Sequence, residues 1–222
     1  METDRVYDQL LDLITTLKLE PGSTVTQAEL VELLDCGRTP LREATQRLMV
    51  EGLVVHHPNR GISIAPLDIR LFGQANEAYR CVHSQAIRRA ALRRTDAQLA
   101  ELQDLLEEAG PSIAGTESSA AAGLDIKFHS LLAEASQNQY LAEDAARLEK
   151  LLSRYIALGH SEAGPHKEVW AYHQKILDAV RDQDPDEAER LFFEHIDLGV
   201  QHVLDSWGMS DVSLRPWREG GG

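Results

Sequence analysis

Four side chains in the later part of the sequence are of types that bind divalent metal ions. They are one carboxylate and three imidazoles: Asp125, His129, His173 and His195. Asp125 and His129 are four residues apart in a stretch with helical apolar spacing, so both side chains leave one face of one helix, a turn apart. His173 and His195 each lie in a further segment that predicts a helix. Three helices could therefore bring these four residues, here called the quartet, to one cation.

The donor set of the quartet suits several metals. Three imidazoles and a carboxylate are compatible with zinc, nickel, manganese or iron, and they leave at least one coordination position for water or a ligand oxygen. A single histidine that faces a helical core is, however, more often a hydrogen-bonded packing residue. Residue types and spacing alone therefore leave both a metal site and ordinary core packing open.

The segments that carry the quartet belong to a long helical region. From residue 69 to about residue 207 the apolar residues recur at helical spacing, without the alternation of a strand. We expect a loop over 110–119 and helices over 95–108, 120–136, 139–158, 166–182 and 185–206. The start of the last helix is marked by Asp184, Pro185 and Glu187, which suit the N-cap, N1 and N3 positions. This part of the chain is expected to be an all-α helical bundle.

The first 68 residues combine three short helical patterns. Apolar residues at helical spacing predict a first helix over 4–17. Thr26 and Glu29 form a capping-box pattern at the start of a second helix. Pro40 suits the first turn of a third helix that reaches about Glu51. These helices are close together in sequence, as in a helix-turn-helix.

Two apolar runs follow the third helix and predict a hairpin. They cover 53–55 and 62–64 and flank the turn-forming segment 58–61. Three helices and a hairpin predict a winged helix-turn-helix, and the pattern changes near Asp68. The chain is therefore expected to be mainly α. The predicted parts are a winged helix-turn-helix DNA-binding domain over 1–68, a helical domain over 69–208 that carries the quartet, and a disordered tail over 209–222.

The charge of the chain at first opposes binding to nucleic acid. The formal net charge is −14, whereas counterion release from DNA requires a cationic surface. From Cys36 to Ile62, however, four arginines stand against two acidic residues. The cationic surface is therefore expected to be small and confined to the third helix and the hairpin.

The N-terminal sequence and the apolar runs bear on the compartment. The chain starts without a basic segment and apolar core typical of a signal peptide, and no apolar run approaches the roughly 20 residues of a membrane span. Two cysteines are too few for a disulfide framework. We expect a cytoplasmic protein that does not bind a membrane.

The third helix carries side chains suited to a major groove. Its N-terminal turn would face base edges and phosphates, and Arg38, Thr39 and Arg42 lie there. Arg38 and Arg42 share one face, and a guanidinium can bind guanine or phosphate through two hydrogen bonds. Arg60, at the hairpin tip, could reach a minor groove or the backbone. The same residues also fit a solvated helix face with ordinary surface arginines.

The order and spacing of residues 5–68 closely resemble the DNA-binding domain of the GntR family of transcription regulators. The most specific segment is 38–44, RTPLREA. The resemblance implies that Arg38, Thr39, Arg42 and Gly61 contact DNA, with Arg60 beside them. Gly37 departs from the family, which more often has serine or threonine there, so this chain lacks that hydroxyl for a phosphate.

The helical region resembles the FCD sensor domain of the FadR subfamily of these regulators. The resemblance rests on segments 124–141, 173–188 and 194–196. It implies that the quartet binds a divalent metal ion, zinc before nickel, manganese or iron. It also implies that Arg80, on the first helix of the domain, binds the carboxylate of a small organic acid. Where the subfamily has a glutamate one turn after that arginine, this chain has Ser84.

These observations predict a metabolite-responsive transcription regulator, a repressor rather than an enzyme. It is expected to bind a palindromic double-stranded DNA operator as a homodimer, with an affinity that a small carboxylate effector changes. Two alternatives remain from the sequence. One is a regulator that responds to metal alone, and the other is a metal-dependent hydrolase, for which we find neither a general base nor an oxyanion stabiliser.

Overall fold

The computed structural model describes residues 2–57, 61–114, 118–163 and 167–208. Arg60 and the tail predicted over 209–222 lie outside the described residues. The chain divides into two compact units, Met1–Leu71 and Phe72–Gly222. Among the described residues, no helix is both long enough and apolar enough to cross a membrane.

The first unit is a winged helix-turn-helix, as the sequence predicts. Its elements are α1 (Glu2–Thr15), β1 (Thr24–Val25), α2 (Gln27–Leu33), α3 (Arg38–Val50), β2 (Val54–His57) and β3 (Gly61–Ile64). The predicted capping box at the start of α2 is present, since Thr26 accepts from the Glu29 N–H and Glu29 accepts from the Thr26 N–H. This cap fixes where α2 begins.

The small sheet of the first unit contains a strand that the sequence analysis missed. Its antiparallel order is β1-β3-β2, and β1 pairs with β3 through Thr24 opposite Ser63 and Val25 opposite Ile62. A two-residue strand has no alternation to detect, so only tertiary pairing defines it. β1 therefore extends the hairpin on the side of its second strand, β3.

The second unit is an all-α bundle. Its helices are α4 (Ile69–Arg93), which begins at the end of the first unit, α5 (Asp96–Ala114), α6 (Ser118–Ala135), α7 (Gln139–Ala163), α8 (Lys167–Arg181) and α9 (Pro185–Ser206). The carboxylate of Asp68 caps α4 by accepting from the N–H groups of Arg70 and Leu71. Helix α8 packs most extensively against α9, and α6 packs against α5 and α7. This packing brings α6, α8 and α9 together around one interior.

The prediction of a loop over 110–119 is wrong in part. Helix α5 continues to Ala114, past Gly110 and Pro111, and α6 already begins at Ser118. Glycine and proline disfavour a helix interior, but Ala109 is buried against Trp170. Packing around Ala109 therefore outweighs the local preference for a loop.

Candidate functional site

The quartet comes together in the interior of the helical unit. Asp125 and His129 lie on α6, His173 on α8 and His195 on α9, and their ligand atoms all lie within 4.8 Å of one another. Nε2 of His195 is 3.0 Å from Nε2 of His129 and 3.3 Å from Nε2 of His173. Oδ1 of Asp125 is 3.2 Å from Nε2 of His173 and 3.9 Å from Nε2 of His129. Four donor atoms thus face one small volume.

The three shorter distances are those expected around a single cation. Ligand atoms bonded at about 2.1 Å to one ion lie roughly 3.0–3.4 Å apart in octahedral or tetrahedral geometry. A neutral imidazole nitrogen has either one proton or one lone pair. Nε2 of His195 lies close to the Nε2 atoms of two other imidazoles, but it can form a good hydrogen bond with only one of them. A cation between them allows every nitrogen to use its lone pair, so the residues present could hold a metal ion.

The surroundings of His129 and Asp125 favour the protonation states in which these two groups bind a cation. The three histidines are buried, and the side chain of Asp125 exposes 16% of its surface. Burial lowers the pKa of His129 well below its usual value, so this ring is neutral. Burial opposes ionisation of Asp125, but the hydrogen bond from His173 and the neighbouring histidines hold the pKa of its carboxyl well below the usual range. A carboxylate and neutral imidazoles are the metal-binding forms of these groups.

Aromatic rings fix the orientation of the quartet. The ring of Phe128 lies 4.5 Å from that of His173 and 5.6 Å from that of His129, between centroids. Trp170 meets His173 edge to face at 4.5 Å. Tight packing limits the rotamers that these imidazoles can adopt, so the convergence of donors is built into the apolar core.

A second polar cluster lies close to the quartet and was missed by the sequence analysis. The hydroxyl of Tyr79 on α4 donates to Oε2 of Glu149 on α7 at 2.9 Å, and Nε2 of His83 lies 3.7 Å from the same oxygen. Burial raises the pKa of Glu149 well above its usual value and lowers the pKa of His83 to about 3. The sequence places Tyr79 and His83 one turn apart on one helix, but it gives no local signal that Glu149 meets them.

The predicted effector residue Arg80 contacts α9. Its guanidinium pairs with Asp197 and lies 4.6 Å from the centroid of the Phe193 ring. These partners stand on either side of His195 in sequence, and neither belongs to the quartet. Ser84 lies one turn further along α4, and its hydroxyl donates to Glu189, which also belongs to α9. The structure therefore brings the quartet together but not Arg80 with it, and a role of Arg80 toward an effector stays a prediction.

The start of α3 presents a free cationic surface. Arg38, Thr39 and Arg42 are exposed, and the two arginines make no hydrogen bond or ion pair with any residue that the structure describes. By contrast, Arg5 binds the Leu34 and Asp35 carbonyls, and Arg47 pairs with Asp4 at 3.0 Å. Unpaired arginines at a helix N-terminus are suited to phosphates and base edges.

Gly61 begins β3 at a position that excludes a side chain. Its φ is +91°, and a Cβ atom would lie 2.3 Å from the carbonyl oxygen of Val25 and 2.9 Å from Cα of Thr26. Both a left-handed backbone and a close approach to β1 therefore require glycine. Gly61 thus sets the geometry of the wing, whatever it contacts.

Two protein families match this chain. The family described as bacterial regulatory proteins, gntR family, matches residues 2–64, and the FCD domain matches residues 75–198. The relatives include the Nta operon transcriptional regulator of Aminobacter aminovorans, 29% identical over 83% of this chain and 86% of that protein. The HTH-type transcriptional repressor NanR of Klebsiella aerogenes is 30% identical over 80% of this chain and 75% of that protein.

Solved structures have the same fold. Escherichia coli McbR/YncC superposes with a TM-score of 0.85 at 20% identity, covering 93% of this chain and 99% of that one. A putative GntR transcriptional regulator from Rhodococcus sp. RHA1 gives a TM-score of 0.74 at 22% identity, covering 90% and 97%. At these identities the likeness concerns the fold.

Proposed function

The chain belongs to the GntR family of bacterial regulatory proteins with an FCD domain, and from this premise we propose that it is a repressor controlled by a bound metal ion and a small carboxylic acid. Membership of this family makes the chain a DNA-binding transcriptional regulator and not an enzyme. The hydrolase alternative is therefore wrong. Repression is proposed because relatives such as NanR are named repressors.

The winged helix-turn-helix unit binds the operator through α3. This role is supported by the exposure of Arg38, Thr39 and Arg42, and by the lack of ion pairs of the two arginines among the described residues. In the proposal, the wing residues Arg60 and Gly61 contact the same DNA. Most oligomeric regulators are symmetric dimers, and a two-fold axis requires two related half-sites. We therefore propose a homodimer that binds a palindromic double-stranded operator in the cytoplasm.

The quartet holds a divalent metal ion, of which zinc suits three imidazoles and one carboxylate best, with nickel, manganese or iron as further possibilities. The single observation that carries this proposal is the convergence of Asp125, His129, His173 and His195 within 4.8 Å in a buried interior. A bound ion would supply a Lewis-acidic position for a ligand carboxylate oxygen. The effector is accordingly a small carboxylic acid.

Regulation follows if the effector prefers one packing of the sensor helices. A ligand shifts a conformational equilibrium only by its differential affinity for the two states. The quartet joins α6, α8 and α9, so a ligand that binds there contacts three helices at once. Arg80, whose carboxylate partner Asp197 is largely exposed, could exchange that partner for a ligand carboxylate.

The test uses the full chain and an operator selected from random-sequence duplexes. Operator affinity is measured by fluorescence anisotropy with zinc-loaded protein, chelator-stripped protein, and each form with a panel of small carboxylic acids. We expect at least one acid to weaken binding of the zinc-loaded form about tenfold or more and to leave the stripped form unchanged. If zinc alone changes the affinity and no acid does, the chain is a metal-responsive regulator. If neither changes it, the proposal is wrong.

A further inference from the structure

His83 and Glu149 form a polar pair inside an apolar interior. Both are almost fully buried, at 0% and 3% exposure. Glu149 accepts a hydrogen bond from Tyr79, but neither ring nitrogen of His83 has a hydrogen-bond partner among the described residues. A buried polar group without a partner is costly, and such groups in native proteins usually bind water or a ligand. His83 is therefore incomplete as the chain alone presents it.

The separation of the pair matches that of two groups joined through one bridging atom. Nε2 of His83 lies 3.7 Å from Oε2 of Glu149, which is too long for a direct hydrogen bond and suited to a bridging oxygen. The neutral imidazole of His83 offers one donor and one acceptor, and the carboxyl group of Glu149 offers an acceptor. A hydroxyl group, which can both donate and accept, fits this pair of partners.

The same pair lies within a few ångströms of the quartet. The ring centroids of His83 and His129 are 5.9 Å apart, and Phe192 stacks on His83 at 5.3 Å while meeting His129 edge on at 5.9 Å. A molecule of three or four carbon atoms spans such a distance. One small ligand could thus reach the quartet with one end and the pair with the other.

We propose that His83 and Glu149 select the effector. They bind a hydroxyl group of a short monocarboxylic acid whose carboxylate binds at the quartet, and they disfavour a dicarboxylic acid. A second carboxylate in that place would be buried in the apolar interior, and burial disfavours the ionised form of a carboxyl group. This inference rests on the proposed function, because it assumes that the effector carboxylate binds at the metal site.

The experiment compares acids that are matched in length. Zinc-loaded full-length protein is titrated with propionate, its 2- and 3-hydroxy derivatives and malonate, and with the four-carbon counterparts, following the fluorescence of Trp170 beside His173. We expect the best hydroxy acid to bind about tenfold more tightly than both the unsubstituted acid and the dicarboxylate, the effect of one net hydrogen bond.

Three variants assign that preference to the pair. In His83→Phe, which keeps a ring against Phe192, the preference for the hydroxy acid falls to about one. Glu149→Gln retains an acceptor and resembles the neutral carboxyl group, so it keeps the wild-type ratios for the hydroxy acid and for malonate or succinate. Ser84→Ala, a neighbour on α4 whose hydroxyl donates to Glu189, leaves all ratios unchanged. Zinc content, measured for each variant, reports whether the interior is intact.

The outcomes separate the two proposals. If the acids bind without preference, or if His83→Phe retains zinc and the wild-type preference, the pair holds a structural water and this inference is wrong while the proposed function stands. If an acid outside the panel shifts operator binding but no hydroxy acid binds, this inference is again wrong alone. If no acid shifts operator binding, both are wrong.

Discussion

Oδ1 of Asp125 lies 3.2 Å from Nε2 of His173, although the two residues belong to α6 and α8 and the whole of α7 separates them in the chain. A contact of this kind exists only when the bundle is folded. Binding of a metal ion at the quartet must therefore stabilise the folded state by mass action.

The first prediction concerns His173→Ala. We expect wild-type protein to retain about one divalent ion per chain through dialysis and to unfold at a lower temperature after chelation. The variant should lose at least about a hundredfold in zinc affinity, since even residues that only support ligands contribute roughly 10–100-fold. Elemental analysis and thermal unfolding with and without chelator measure both effects.

A histidine outside the quartet provides the control for that variant. His56 is exposed on β2, so His56→Ala removes an imidazole without touching the interior and should retain the ion and the stability gain. Equal loss of zinc in the two variants would mean that the quartet is ordinary packing and that zinc binds elsewhere.

The second prediction concerns Arg42→Ala. Loss of a guanidinium that binds a base edge or phosphate through two hydrogen bonds costs about 1–3 kcal/mol, or roughly 10–100-fold in operator affinity. Combined with Arg38→Ala it should abolish operator binding, and zinc content should not change. Anisotropy titrations at several salt concentrations should show a less steep salt dependence, because fewer counterions are released.

Arg70→Ala is the matched charge control for Arg42→Ala. Arg70 is highly exposed, lies at the start of α4 and pairs with Asp68, so its loss removes the same charge away from α3. Its operator affinity should stay within about twofold of the wild type, the scale of a distant surface charge. A similar loss in both variants would point to a diffuse electrostatic attraction rather than to a recognition helix.

The sequence predicted the helices well because their signals are local. Thr26 with Glu29 and Asp184 with Glu187 mark helix starts by side-chain hydrogen bonds to nearby N–H groups, and both caps are present. The short strand β1 was missed, because it is defined by its partner β3 and not by its own two residues.

The candidate site was predictable only in part. The spacing of Asp125 and His129 gives a shared helix face, but nothing local says that His173 and His195 meet them, and that step depended on a family resemblance. Glu149 was missed altogether, because it is one of four acidic residues in α7 and cannot be told from a surface residue until the helices are packed. Arg80 was assigned to the effector by resemblance, and its contact with Asp197 had no signal in the sequence.

The third prediction concerns the wing glycine. In Gly61→Ala the new Cβ would meet backbone atoms of Val25 and Thr26 that cannot move aside easily, at a φ of +91°. We expect a loss of about 1–3 kcal/mol in unfolding free energy from the strained backbone alone, with more from the clash. Denaturant unfolding measures it, and operator binding should weaken with the displaced wing.

Gly199→Ala is the opposite case and serves as its control. Gly199 lies inside α9, and nothing stands within 4 Å of the position of its missing Cβ. Alanine there should stabilise the helix by roughly 0.5–1 kcal/mol. If Gly61→Ala were as stable as Gly199→Ala, the close approach of β3 to β1 would be wrong.

The last prediction is a pH dependence of the capping box that starts α2. Glu29 accepts from the Thr26 N–H at 2.7 Å and from its hydroxyl at 2.8 Å, and these bonds lower the pKa of Glu29 below its ordinary value of 4.5. A carboxyl whose pKa is lower in the folded state stabilises that state above its unfolded pKa, and this contribution is lost as the pH falls through the folded value.

Glu29→Gln cannot titrate, so the wild type should unfold at a higher temperature than this variant at pH 7, and the difference should shrink as the pH falls below about 4.5. Glu32→Gln, an exposed position on the same helix, should show no comparable change between pH 7 and pH 3. A constant difference between the wild type and Glu29→Gln over that range would mean that the carboxylate does not cap α2.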